Sequence, residues 1–162
     1  MDQLWTPWRF AYVTQGVKGD GCIFCKKAAQ SQARDREELI LHRARFNFVI
    51  LNLYPYTTGH AMIVPYAHVA GLASLDRDTL AEMMDLARDL EAALAQAYHP
   101  DGYNLGMNLG KAAGAGVADH VHLHVLPRWS GDTNFMTVVG ETRVHPEDLS
   151  TTYDKLHGVF RR

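Results

Sequence analysis

His120-Val121-His122-Leu123-His124-Val125-Leu126 is the stretch from which the rest of this chain is best read. Apolar residues alternate with imidazoles, the period-two pattern of a strand lying with one face on a core. Val121, Leu123 and Val125 then pack inward, and His120, His122 and His124 share the other face. Each ring carries two polar nitrogens that need partners. Burying three unpartnered rings costs on the order of several kcal/mol. Imidazoles gathered on one face point to metal ligation, proton transfer or nucleophilic attack. A solvated face that carries its histidines by accident is the bland alternative.

Working outward, Gly110-Lys111-Ala112-Ala113-Gly114-Ala115-Gly116 is a glycine-rich turn directly upstream. Small residues leave backbone N–H groups open to an anion, and Lys111 adds a positive charge. It is not a Walker A loop, since no Gly-Lys-Ser/Thr closes it at the required spacing. Lys111, Gly114 and Gly116 are thus candidate phosphate contacts. Before the turn, residues 103–109 read as a strand that contains Asn108. Phe46 to Leu53 is aromatic and β-branched and ends near Pro55, so it reads as a strand. Thr57-Thr58-Gly59 turns the chain into a second strand from His60 to Val64, stopped by Pro65, and the two form a hairpin.

Asp76 to Tyr98 is the clearest helix. Leu80, Met83, Met84, Ala87, Leu90, Leu94 and Ala97 form its apolar stripe, Asp76 is the N-cap, and His99-Pro100-Asp101-Gly102 ends it. The stripe reads as core and implies no cofactor. A short helix is expected over residues 26–34, a short fifth strand over 135–139, and a terminal helix or turn over 147–156. Hairpins flanking one long helix predict an α+β fold: a mainly antiparallel sheet of about five strands, one long helix and a shorter N-terminal helix. The expected organisation is a single domain over 1–162, with an arm at 1–21, a core at 22–128 and a C-terminal extension at 129–162.

Composition narrows the classes. The chain has 162 residues, 47% of them hydrophobic and 21% charged, which suits one folded globular unit. Sixteen basic and eighteen acidic residues leave no positive field for a nucleic-acid duplex. No apolar run approaches the ~20 residues of a membrane span, and the first residues do not read as a signal peptide. Two cysteines cannot build a disulfide framework, so a reducing, cytoplasmic setting is expected. Their spacing, Cys22-Ile23-Phe24-Cys25, fits half a zinc site, a redox pair or two buried thiols. The redox reading calls for a thioredoxin-like βαβ context, which is absent. A closed zinc site built on this pair needs two histidines as well.

Residues 120–126 match at every position the His-φ-His-φ-His-φ-φ signature (φ apolar) of the histidine-triad (HIT) superfamily, which the chain resembles. Asn52-Leu53-Tyr54-Pro55-Tyr56-Thr57-Thr58-Gly59-His60-Ala61-Met62-Ile63-Val64-Pro65 is similar to that family's upstream hairpin. Pro127-Arg128 resembles the fragile-histidine-triad branch, which acts on dinucleoside polyphosphates. Trp5-Thr6-Pro7-Trp8-Arg9 and Trp129-Ser130-Gly131-Asp132-Thr133-Asn134-Phe135 resemble bacterial members of that branch.

The resemblance implies that His122 attacks the α-phosphate and forms a nucleotidyl-histidine intermediate, its other ring nitrogen held by a backbone carbonyl. It implies that His124 contacts the phosphate or bridging oxygen, that His60 lines the pocket, and that Asn108 touches the scissile region. Asn52 falls near the ribose, and Trp129 is an aromatic candidate for stacking on the base. The glycine-rich loop is one residue longer than the eukaryotic pattern, with Gly116 where a polar side chain stands there. Zinc-bearing bacterial relatives imply a structural Zn²⁺ on Cys22, Cys25, His68 and His120, and no catalytic metal. The family's members also imply a homodimer that joins two sheets into one.

The expected activity is therefore cleavage of dinucleoside polyphosphates, resolved by water or by inorganic phosphate. Nucleoside phosphoramidate hydrolysis is the neighbouring alternative, and a nucleotide-binding module without turnover is another. A hydrolase with a catalytic zinc on all three histidines is disfavoured. Positions i, i+2 and i+4 of a strand span ~13 Å, too far to share one ion at ~2.0–2.1 Å.

Overall fold

The computed structural model describes residues 21–133 and 145–160. The expected arm and the expected strand at 135–139 lie outside these residues, as do Trp5, Trp8 and Asn134. The strands are β1 (Ile40–Arg43), β2 (Asn47–Leu51), β3 (Ala61–Pro65), β4 (Gly102–Gly106) and β5 (Leu123–Arg128). They form one sheet in the order β1-β2-β3-β5-β4, every neighbouring pair antiparallel. The helices are α1 (Ile23–Ala28), α2 (Asp35–Glu38), α3 (Arg77–Tyr98) and α4 (Leu149–Val159).

Strand alternation sorts the sheet's side chains into two clusters. Val49, Leu51, Ala61, Ile63, Leu123 and Val125 pack with Met83, Leu86, Ala87, Leu90 and Leu94 of α3 and with Tyr153 and Leu156 of α4. On the other face Phe48, Ile50, Met62 and Val64 meet Phe24 of α1 and Ile40. The register pairs Met62 with His124, so the histidines share this second face.

Several expectations need correction. β5 begins at Leu123 rather than at His120, so the first two histidines of the signature precede the ladder. The expected helix at 26–34 is instead the six-residue α1, followed by a single 3-10 turn at Gln32–Arg34. The fifth strand among the described residues is β1, where Ile40 to Arg43 is too short and too irregular in its alternation to mark a strand by pattern alone. Met84 was placed on the buried stripe, yet it is 58% exposed. The helix turns 100° per residue, which centres the stripe on Met83, Leu86, Leu90 and Leu94 and leaves Met84 on its flank.

α3 runs as expected. The Asp76 carboxylate accepts from the Thr79 N–H at 2.7 Å, and His99 ends the helix in the left-handed region at φ 47°. Glu82 ties α3 to the β1–β2 turn by accepting from the backbone N–H groups of Arg45, Phe46 and Asn47 at 2.8–3.0 Å. Gly59 brings the chain into β3 with φ +79°. A side chain there would meet Leu94 at 3.0 Å and Pro127 at 3.2 Å, so only glycine delivers the next residue, His60, to its place. No helix among the described residues is long and apolar enough to cross a membrane.

Candidate active site and metal centre

Hydrogen bonds from outside the cluster set where each imidazole carries its proton. The backbone N–H of Tyr56 donates to His60 Nδ1 at 3.0 Å, which makes that nitrogen an acceptor. A neutral His60 therefore holds its proton on Nε2, 2.9 Å from His124 Nδ1, and donates it there. His124 in turn carries its own proton on Nε2. The Asn52 amide lies 3.3–3.4 Å from the His60 ring nitrogens, while its oxygen accepts from the Tyr54 N–H at 3.0 Å. The Tyr56 ring packs against His60 and His124 with centroids 4.7 and 6.0 Å away.

His122 is fixed differently. Its Nδ1–H donates to the His120 carbonyl at 2.9 Å, so the lone pair is on Nε2. The ring stands edge-to-face on His124 at 4.7 Å. Burial pushes both rings below the ordinary imidazole range, His124 down to about 4, where repulsion between the two rings' protonated forms adds to the effect.

His120 turns toward a second cluster. Its Nε2–H donates to the Pro65 carbonyl at 2.8 Å, leaving Nδ1 as a lone pair. That atom lies 3.2 Å from Cys22 Sγ, 3.6 Å from Cys25 Sγ and 3.2 Å from His68 Nδ1, and Cys25 Sγ is 3.4 Å from His68 Nδ1. All four ligand atoms lie within 4.8 Å of one another. A tetrahedral ion with Zn–S ~2.3 Å and Zn–N ~2.0–2.1 Å implies S···N edges of about 3.6 Å and an N···N edge of about 3.3 Å. The donor set and its spacing can therefore hold a metal ion of that kind. Burial also pushes the Cys25 thiol up, a penalty that a coordinated cation would reverse.

The remaining candidates are more scattered. Lys111 is exposed at the start of a short 3-10 turn, after Gly110 at φ 82° and before Gly114 at φ 86°. The N–H groups of Ala113, Gly114 and Ala115 are directed to the carbonyls of Gly110 and Lys111, so this part of the loop satisfies itself instead of presenting those donors to an anion. Gly116 is exposed and Asn108 half-buried, beyond the end of β4. Trp129 is not brought to the histidines. It follows β5 and stands edge-on to Tyr98 at 6.5 Å, on the α3 side of the sheet. Two participants carried no sequence signal of their own: Tyr56, which acts through its main chain, and Phe24, which lies between the cysteines and reaches both His120 and His122.

The histidine signature at 120–126, set at one face of an all-antiparallel sheet, is that of the histidine-triad class of protein. The HIT domain family matches residues 35–131, and the chain belongs to that family. It is 38% identical over 157 residues to AP-4-A phosphorylase of Mycobacterium tuberculosis, covering 94% of this chain and 80% of that protein. It is 30% identical over 140 residues to an adenosine 5'-monophosphoramidase of Schizosaccharomyces pombe, covering 86% and 98% of the two chains. A zinc-bound histidine triad family protein from Mycobacterium smegmatis superposes with a TM-score of 0.69 at 25% identity, over 86% of this chain and 93% of that one.

Proposed function

We propose that this chain is an enzyme that cleaves dinucleoside polyphosphates at the α-phosphate through a covalent nucleotidyl-His122 intermediate. The observation that carries the reading is the Nδ1–H bond from His122 to the His120 carbonyl, which leaves Nε2 free to attack. The Nε2 lone pair forms a P–N bond as the P–O bond to the leaving nucleotide breaks. The departing phosphate oxygen leaves as an anion that accepts a hydrogen bond from the His124 Nε2–H, and the His60 N–H on His124 Nδ1 holds His124 in that tautomer. Water or inorganic phosphate then attacks phosphorus and breaks the P–N bond. The identity to AP-4-A phosphorylase supports this substrate class, and phosphate as acceptor, over the phosphoramidate alternative.

Asn108 and Asn52 are assigned to the scissile region and the ribose, Lys111 and Gly116 to the polyphosphate, and Gly114, whose N–H is taken by the Lys111 carbonyl, to shaping that loop. Trp129, which stands edge-on to Tyr98, is assigned as the aromatic candidate for the base. A structural Zn²⁺ on Cys22, Cys25, His68 and His120 would cross-link α1 to the segment before β5 and touch no substrate. β4 is an edge strand with Asn104, Leu105 and Gly106 exposed, which suits pairing with a second copy in a homodimer. A cytoplasmic location fits the thiol ligands.

Incubation with diadenosine tetraphosphate, with and without phosphate, tests the activity, with products identified by mass spectrometry in heavy-oxygen water. Phosphorolysis yields ADP and ATP without solvent oxygen. Intact substrate together with rapid turnover of adenosine 5'-phosphoramidate would assign the chain to the other activity.

A further inference from the structure

His122 depends on one hydrogen bond for the direction of its free nitrogen. The final torsion of an imidazole is broad and roughly two-fold. A single hydrogen bond contributes only about 1 kcal/mol net, so a ring with open space beside it would also populate the flipped orientation. The space is closed on two sides. His124 meets His122 edge-to-face at 4.7 Å, and Phe24 lies against it at 5.0 Å with the ring planes at 53°. Phe24 also stands edge-on to His120 at 5.4 Å, next to the carbonyl that receives the His122 proton.

Phe24 owes its position to its neighbours in sequence. It lies between Cys22 and Cys25 in a helix of six residues, whose first turn is closed by the Lys26 N–H to Cys22 O bond at 3.1 Å. So short a helix has little stability of its own. Its anchors are the two thiols facing His120 and His68, and the burial of Phe24, 5% exposed, among Ile40, Phe48, Ile50, Met62 and Val64. The cysteine pair thus presents one aromatic ring to the nucleophile.

We propose that Phe24 is a positioning residue for His122, a wall that holds the imidazole with Nδ1 on the His120 carbonyl and Nε2 toward substrate, and that the cysteine–histidine cluster acts on the reaction through it. This rests on His122 being the nucleophile, as proposed above.

The test compares Phe24→Ala and Phe24→Leu with the wild type by nitrogen NMR of the His122 ring, metal content, and steady-state kinetics on diadenosine tetraphosphate. The wild type is expected to show one His122 tautomer, protonated on Nδ1. Phe24→Ala is expected to mix tautomers and to lower kcat by about 10- to 100-fold, as misplacement of a reacting group does. KM is expected to change by less than about threefold, since substrate binding is not what is lost. Phe24→Leu, which keeps most of the apolar volume, restores most of both signals, with metal content unchanged. If Phe24→Ala melts earlier while His122 keeps a single tautomer and kcat stays at the wild-type value, Phe24 is core and nothing more, and the inference is overturned. Should Phe24→Ala not fold, Phe24→Val, which also opens space beside the His122 ring, decides by the same readouts. The tautomer measurement needs no substrate. A ring that responds to Phe24 in a protein that leaves dinucleoside polyphosphates intact would sink the functional reading and leave this one standing.

Discussion

Two pairs of histidines approach to nearly the same distance in this protein and do opposite things. His60 Nε2 and His124 Nδ1 are 2.9 Å apart; His68 Nδ1 and His120 Nδ1 are 3.2 Å apart. In the first pair a backbone N–H occupies the far nitrogen of His60, so the near one must be a donor and the contact is a hydrogen bond. In the second the Pro65 carbonyl takes the far N–H of His120, so its near nitrogen is a lone pair facing a second nitrogen and two sulfurs. Such a cluster can hold a cation. What separates a hydrogen-bonded pair from one able to hold a metal is a main-chain group on the far side of each ring.

The largest expected effect tests which chain of hydrogen bonds carries the chemistry. His122→Ala is expected to abolish turnover, by about 10⁴-fold or more, with no nucleotidyl-enzyme in mass spectrometry. A labelled enzyme in that variant would reassign the nucleophile. Removing the metal by strong chelation or by Cys25→Ser is expected next. It lowers Tm by about 10 °C, as the loss of a cross-link worth several kcal/mol would. Scanning calorimetry of chelated and metal-replete protein measures it, and identical curves would dissolve the contrast between the two pairs.

His60→Ala strands the Tyr56 N–H and leaves His124 Nδ1 without its donor. Stability is expected to fall by about 1–3 kcal/mol, and kcat by about 10- to 100-fold, as for a transition-state hydrogen-bond donor no longer held in place. Urea melts and single-turnover kinetics separate the two effects; an unaffected kcat would remove His60 from that role.

The pH dependence of stability sharpens the same point. His124 is held down to about 4, against ~6.5 in the unfolded chain. Between those values the unfolded ring binds a proton that the folded ring does not, so its contribution is complete above pH ~6.5 and is lost as the pH falls toward 4. The loss is about 1.4 kcal/mol per pH unit, or about 3 kcal/mol in all for this one group. Urea midpoints measured across that window that fall no further in the wild type than in His124→Asn would show that the ring is not buried neutral.

Much of the site was legible because its signals are local. The alternation at 121–125 places Leu123 and Val125 in the core with α3, and the same alternation turns His122 and His124 to the other face. The helix at Arg77–Tyr98 and its Asp76 cap follow from spacing and side-chain chemistry alone. Less was legible where main-chain atoms act. Nothing in the identity of Tyr56 says that its N–H will orient His60, nor in that of Pro65 that its carbonyl will orient His120. The glycine-rich turn suggested open N–H groups from composition, but its 3-10 geometry directs those of Ala113, Gly114 and Ala115 inward. The packing of Trp129 by Tyr98 was likewise not readable from its side chain. Which side of the sheet a residue takes after a strand ends is not written in its side chain.

The sequence by itself determined which residue types sit on which face, because strand and helix periods act between near neighbours. The presence of a histidine signature and a cysteine pair was equally readable. Only the tertiary structure decided that Cys22 and His120, 98 residues apart, would meet at 3.2 Å, and that Phe24 would arrive with them against His122. It also decided which nitrogen of each ring holds the proton. The physical reason is that an imidazole is symmetric enough to donate from either side, and the choice falls to whichever fixed donor or acceptor the packed backbone places next to it.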